Sequence, residues 1–346
     1  MDPLLLAADL RFKLRGIKIA RALGSPRAST SGLTLQRQPS TDLNAQNQFK
    51  QIAKEHDLLA MLELAEQEFG WEPDAEIRSR VSTSKRELEH KVDEARENHG
   101  QVEIVEAQLA ICSHAIRTAQ VDSVDVLFRE VDLTSQSSGK RIDAFLERAR
   151  FGLAWENYGF ARAALEESTK LLTLGGDWDR RNRLRVYAGL FAMCSRDFTK
   201  ASQEFLSGVA TFTAEEVFSY DRFVMYTMLT SVVALDRVQL KQKIISSPEI
   251  IAVLDSCYQT KASSYLQLTG LEQETKEKCA TVGRLVDALY TCQYGDFMQQ
   301  LLVVHQLLQQ DRYLERHVDW FLREMRAKAY EQFLASYKSQ TPVGQD

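Results

Sequence analysis

Only 16 glycines and 6 prolines punctuate a chain of 346 residues. Sheets need frequent turns rich in Gly, Pro and Asn, so this scarcity steers the chain away from sandwiches and barrels and toward helices. The apolar pattern agrees. Over Gln48–Phe69, the residues Phe49, Ile52, Ala53, Leu59, Leu62 and Phe69 fall near one helical face, opposite acids and lysines. With 44% hydrophobic residues the chain can bury a real core. The reading is all-α.

Residues 76–98 are highly charged, with Ile77, Val81, Leu88 and Val92 forming nearly the whole apolar stripe, which marks an exposed or bridging helix. Residues 101–212 read as consecutive helical hairpins. Val124-x3-Phe128 recurs as Ala201-x3-Phe205, 77 residues later, and Gly152 and Gly189 stand 37 apart in similar strings. A period near 38, with small residues facing large ones, suits a right-handed superhelix of hairpins resembling tetratricopeptide repeats (TPR). Helices are expected to continue at 214–235, 238–244, 248–256, 283–293, 296–309 and 315–337. The polar run 258–279 between them reads as a helical or loose surface insertion.

The beginning differs. Residues 10–41 hold Arg11, Lys13, Arg15, Lys18, Arg21, Arg27 and Arg37 and no acid, a composition shared with organelle transit peptides. Asp2 and Asp9 spoil that pattern, so a basic helix near 10–23 and a flexible linker are expected instead. The organisation becomes 1–44 basic helix and linker, 45–212 repeats, 213–338 a second helical region, and 339–346 a tail.

Chemistry is sparse. A net charge of −5 supplies no global field for nucleic acid. No apolar stretch approaches the ~18 residues of a membrane span. The five cysteines are odd in number and form no CxxC pair, which fits a reducing compartment. Ser138-Gly139-Lys140 is no phosphate loop, because Thr134 replaces the required glycine and Arg141 the required Ser or Thr. None of the six histidines lies at ligand spacing, and His114 reads as a satisfied core histidine. No catalytic residue, cofactor site, metal site or small-molecule substrate is expected.

One string stands out: Gly175-Gly176-Asp177-Trp178-Asp179-Arg180-Arg181-Asn182-Arg183. Gly175 or Gly176 can end a helix, Asp177 can cap the next, and Asp179 suits its first turn. Arg180, Arg181 and Arg183 make a basic cluster beside Trp178, here expected to be buried. The cluster reads either as a docking patch for an acidic partner or neighbouring hairpin, or as an inter-helix turn held by internal salt bridges.

The stretch Gly175–Tyr187 resembles the repeat-to-PCI junction of the proteasome lid's non-ATPase subunits with a helical N-terminal half. The similarity continues through Arg196–Ala201, Thr211–Thr213, Ala234–Arg237, Glu249–Leu254 and Arg323–Arg326. The resemblance implies a TPR-like superhelix leading into a PCI domain, and a structural role without catalysis. Its implied partners are other PCI subunits of the lid and neighbouring regulatory-particle subunits, with no nucleic acid or membrane. The paralogous signalosome subunit, or a PCI-type translation or RNA-export factor, is the alternative. Measured against that family, residues 16–44 and 257–282 have no clear counterpart, and Asp346 falls before the winged helix expected to follow. On that view, part of the apolar face of the last helix that carries Phe321, Met325, Ala329 and Phe333 lies exposed.

Overall fold

The computed structural model describes residues 1–22, 39–119, 121–173, 175, 177–259 and 270–338. Among these residues every regular element is helical. The chain divides into two compact units, Met1–Leu184 and Arg185–Asp346. This boundary lies inside a helix, whereas the sequence reading divided its regions at 212/213.

The first unit comprises α1 (Pro3–Ala22), α2 (Pro39–Glu55), α3 (Leu59–Phe69), α4 (Ala75–Asn98), α5 (Gln101–Thr118), α6 (Val121–Glu130), α7 (Ser138–Ala154), α8 (Tyr158–Thr173) and the start of α9 (Trp178–Cys194). The N-terminal helix starts seven residues earlier than expected and belongs to the core. Leu4, Leu5, Ala7, Ala8, Leu10 and Leu14 are buried, and α1 packs on α2 and α7. Its basic residues find acids far along the sequence: Arg11 Nε and Arg15 Nε donate to Glu68 of α3 at 2.8 and 2.7 Å. Of the linker expected through residue 44, residues 39–44 belong to α2, and residues 23–38 lie outside the described residues.

The helix expected over Gln48–Phe69 is broken at Asp57, whose φ is +54°. The same break recurs at Glu156 (+56°), Arg196 (+65°) and Cys292 (+61°). In each case the following N–H reaches back five residues: Leu58 to the Ala53 carbonyl at 3.0 Å, Asn157 to Gly152 at 2.8 Å, Asp197 to Ala192 at 2.9 Å and Gln293 to Ala288 at 2.9 Å. This left-handed closure satisfies orphan carbonyls at a helix end and reverses the chain within three residues. In two turns the next side chain caps the following helix, with Asn157 Oδ1 accepting from Phe160 N at 3.1 Å and Asp197 Oδ1 from Lys200 N at 3.0 Å.

Close approach makes these hairpins tight. A Cβ on Gly152 of α7 would sit 2.8 Å from Ala161 N of α8, and one on Gly189 would sit 2.5 Å from the Phe205 ring. The two glycines 37 apart therefore occupy equivalent places, each in a first helix pressed by its second. Val124, Phe128, Ala201 and Phe205, the recurring pairs, are all buried.

The second unit takes the rest of α9, then α10 (Phe198–Gly208), α11 (Tyr220–Ala234), α12 (Arg237–Leu240), α13 (Pro248–Gln259), α14 (Gly270–Tyr290), α15 (Tyr294–Gln309) and α16 (Val318–Lys338). A π-helical turn, Lys241–Ile245, follows α12. The expected helix start at 214 is a loop, and α11 opens at Tyr220. This loop brings Phe212 and Phe218 onto Phe223, with ring centroids 4.7 and 6.2 Å away. From Phe223 to Val232, α11 is buried on every side. Lys328 of α16 donates its ammonium to the Val232 and Val233 carbonyls at 2.6 and 3.2 Å, and to that of Leu235, completing the C-terminal end of α11. Burial pushes its pKa down to about 8.

Of the polar run 258–279, residues 270–279 form the first half of α14, where Glu272 to Lys278 are exposed or half-buried and Cys279 is buried; residues 260–269 lie outside the described residues. The apolar face expected on the last helix is exposed only in part: Phe333 is exposed, with Tyr330 and Leu334 beside it, whereas Phe321, Met325 and Ala329 are covered within the unit.

Candidate docking interface

The α8–α9 junction carries the distinctive string. Gly175 has φ +135°, a conformation that suits glycine alone. Gly176 lies outside the described residues. Asp177 opens α9, its carbonyl accepting from Arg181 N at 3.1 Å, while its carboxylate accepts from Arg180 Nη1 at 3.3 Å.

Arg180 is anchored rather than free. Its Nη2 and Nε donate to the two oxygens of Asp143 on α7, at 2.6 and 3.1 Å, a bidentate fork. That hydrogen bonding holds the guanidinium pKa above its ordinary value. Arg183 Nη1 adds a third bond to Asp143 at 3.3 Å. The Arg180 guanidinium also lies over the start of α7, where a Cβ on Gly139 would sit 3.0 Å from its carbon. A second tie runs from the next residue of α7, Lys140, to Glu106 of α5. α7 itself is capped by Ser137, whose Oγ accepts from Lys140 N at 3.4 Å.

Two of the three arginines therefore follow the internal salt-bridge reading, and Arg181 is exposed. Trp178 reverses its expectation: it is 61% exposed, at the first position of α9, with Asp177 exposed and Asp179 half-buried beside it. The buried member is Asn182, whose Nδ2 makes no hydrogen bond among the described residues. The physical reason is helical phase. Arg180 and Arg183 point to α7 and Asn182 into the core, which leaves Trp178 and Arg181 on the outer side.

Sequence reasoning missed Asp143, Gly139 and Asn182. A signal for Asp143 existed: it precedes Arg180 by 37 residues, the spacing that separates the two hairpin glycines. The histidines divide as well. His114 is buried with Thr118 Oγ1 3.4 Å from Nδ1, yet its Nε2 finds no partner among the described residues, so it is only half satisfied. Burial holds its pKa below the ordinary value.

A tryptophan held outward on a clamped helix start costs little entropy to immobilise further, and such residues anchor protein interfaces. The arrangement offers a contact surface.

Comparison with known proteins bears on which surface this is. Residues 75–243 match the family model described as 26S proteasome subunit RPN7. The chain is 34% identical over 267 residues to the 26S proteasome non-ATPase regulatory subunit 6 of Oryza sativa subsp. japonica, covering 77% of this chain and 63% of that one. It is 30% identical over 310 residues to the protein of the same name in Dictyostelium discoideum, covering 88% and 75%. To the 26S proteasome regulatory subunit RPN7 of Saccharomyces cerevisiae it is 29% identical over 256 residues, covering 73% and 55%. The chain thus spans less than two thirds of the rice and yeast relatives.

Proposed function

The chain belongs to the family of 26S proteasome non-ATPase regulatory subunit 6, also called RPN7, and from that membership we propose that it is a non-catalytic structural subunit of the regulatory-particle lid. In this reading it supports ubiquitin-dependent degradation by holding neighbouring subunits, with cytoplasm and nucleus as its location. PCI-type subunits of the same particle are its partners, and the α8–α9 junction is one of its contact surfaces.

The observation that carries the reading is the exposure of Trp178 on a helix start fixed by Asp143, inside the stretch that matches the family model. Exposed tryptophan on a rigid support is expensive to leave in water and is used where a partner covers it. The arginines that hold the helix in place do not need to touch the partner.

Affinity purification of the full chain, followed by mass spectrometry of co-purifying proteins, tests this. Other regulatory-particle subunits are expected in the eluate, and recovery of the chain alone would overturn the proposal. The Trp178→Ala chain should recover those subunits about tenfold less well, as loss of an interface anchor implies. Its thermal midpoint should stay within about 1 °C of the parent, since an exposed side chain contributes little packing.

A further inference from the structure

Two cysteines meet where α13 faces α14. Both are fully buried, Cys257 on α13 and Cys279 on α14. The register of the two helices is fixed on either side of them. On one side Lys276 Nζ donates to Ser256 Oγ at 3.2 Å. On the other, Gly283 admits α13 so closely that a Cβ there would sit 2.6 Å from Leu254 Cδ2 and 2.9 Å from Tyr258 Oη. The helices are antiparallel, and the buried Cys257 and Cys279 lie on the faces that carry Leu254, Tyr258 and Gly283, so the two thiols face one another across this contact.

The Lys276 ammonium is held on the hydroxyl of Ser256, which lies next to Cys257 in the chain. A nearby cation favours a thiolate, which marks Cys257 as the attacking sulfur and Cys279 as the resolving one.

We propose that Cys257 and Cys279 are a reversible redox pair, joined by a disulfide when a peroxide reaches the α13–α14 interface and separated again by a dithiol reductant. The Cys257 thiolate attacks one peroxide oxygen, breaking the O–O bond; hydroxide leaves, takes up a proton as water, and Cys257 becomes a sulfenic acid. The Cys279 sulfur then attacks the sulfenic sulfur, forming the S–S bond as its own proton leaves with the hydroxyl as a second water. In sum, two thiols and one hydrogen peroxide give one disulfide and two waters. Local opening of the interface admits the oxidant, so the reaction is slow compared with that of an exposed thiol.

The test uses the full chain, reduced and then treated with hydrogen peroxide before free thiols are capped with N-ethylmaleimide. Peptide mapping without reductant should find the peptide of Cys257 linked to that of Cys279. The thermal midpoint should rise by about 5–10 °C and return with dithiothreitol. Cys257→Ser and, separately, Cys279→Ala should abolish the link and the rise, and either variant suffices if the other folds poorly. Maleimide on both cysteines after peroxide, stable sulfinic acid in place of a link, or preferential linkage involving Cys112, Cys194 or Cys292 would overturn the proposal.

Discussion

Helices α4 and α11 show two opposite ways of holding a helix. In the 24 residues of α4 only Ile77, Val81, Val92 and Ala95 are buried. In the 15 residues of α11, ten in succession, Phe223–Val232, are buried. The polar groups follow suit. On α4, Arg80 crosses exposed surface to Asp57 at 2.6 Å and Arg78 to Glu63 at 3.1 Å. On α11, Thr227 and Thr230 turn inward to the Phe223 and Tyr226 carbonyls, each at 2.9 Å, and Ser231 pairs with Ser202 of α10 at 2.9 Å. A helix buried on all sides must satisfy its hydroxyls internally, because no water is there to do it. A helix buried on one narrow stripe can leave its polar groups to solvent and charge.

If that contrast is correct, the largest loss comes from Phe223→Ala. The side chain is fully buried against Phe205, Phe212 and Phe218, so urea unfolding should show a loss of about 3–5 kcal/mol. A loss below about 1 kcal/mol would break the comparison.

A smaller effect separates pH from salt. His317 is buried in the second unit, its Nε2 2.8 Å from the Cys194 carbonyl and its Nδ1 3.2 Å from Arg196 Nε. Those partners require a neutral ring that donates through Nε2 and accepts at Nδ1. Burial, followed by the charge of Arg196, keeps its pKa below the ordinary value. The unfolded chain then binds the proton more readily, so the histidine's contribution is complete above about pH 6.5 and lost as pH falls from there through its folded value. Urea midpoints taken between pH 7 and pH 5 should fall, and His317→Asn should remove part of that slope. Raising the salt concentration should leave this slope nearly unchanged.

The smallest effect is expected from Arg80→Ala on α4. An exposed ion pair contributes less than about 1 kcal/mol, and the difference should shrink further at high salt. A salt-independent loss of about 2 kcal/mol or more would show that α4 is held in another way.

The same contrast explains what could be read from sequence. The hairpin glycines were legible because tight packing leaves a repeating size pattern, here Gly152 and Gly189. The helix over 75–98 was legible because its narrow stripe is written in the residues themselves. In contrast, α14 was obscured, since charged residues fill its first turns while its buried side is carried by Cys279, Ala280, Val282 and Leu285. The N-terminal helix looked like a detached basic segment because the acid that answers Arg11 and Arg15 is Glu68, over fifty residues away. At the candidate interface, the turn was legible from Gly175 and Asp177, but not the direction of Trp178. Direction depends on which residues of α9 find Asp143, and that partner belongs to another hairpin.

The four left-handed turns at Asp57, Glu156, Arg196 and Cys292 behave like a standard coupling used with four different fittings. Because the backbone closure is the same each time, the joint does not depend on which side chain occupies it. Each of these hairpins is closed by main-chain groups of its own, and what the joint asks of its residue is to accept a left-handed φ.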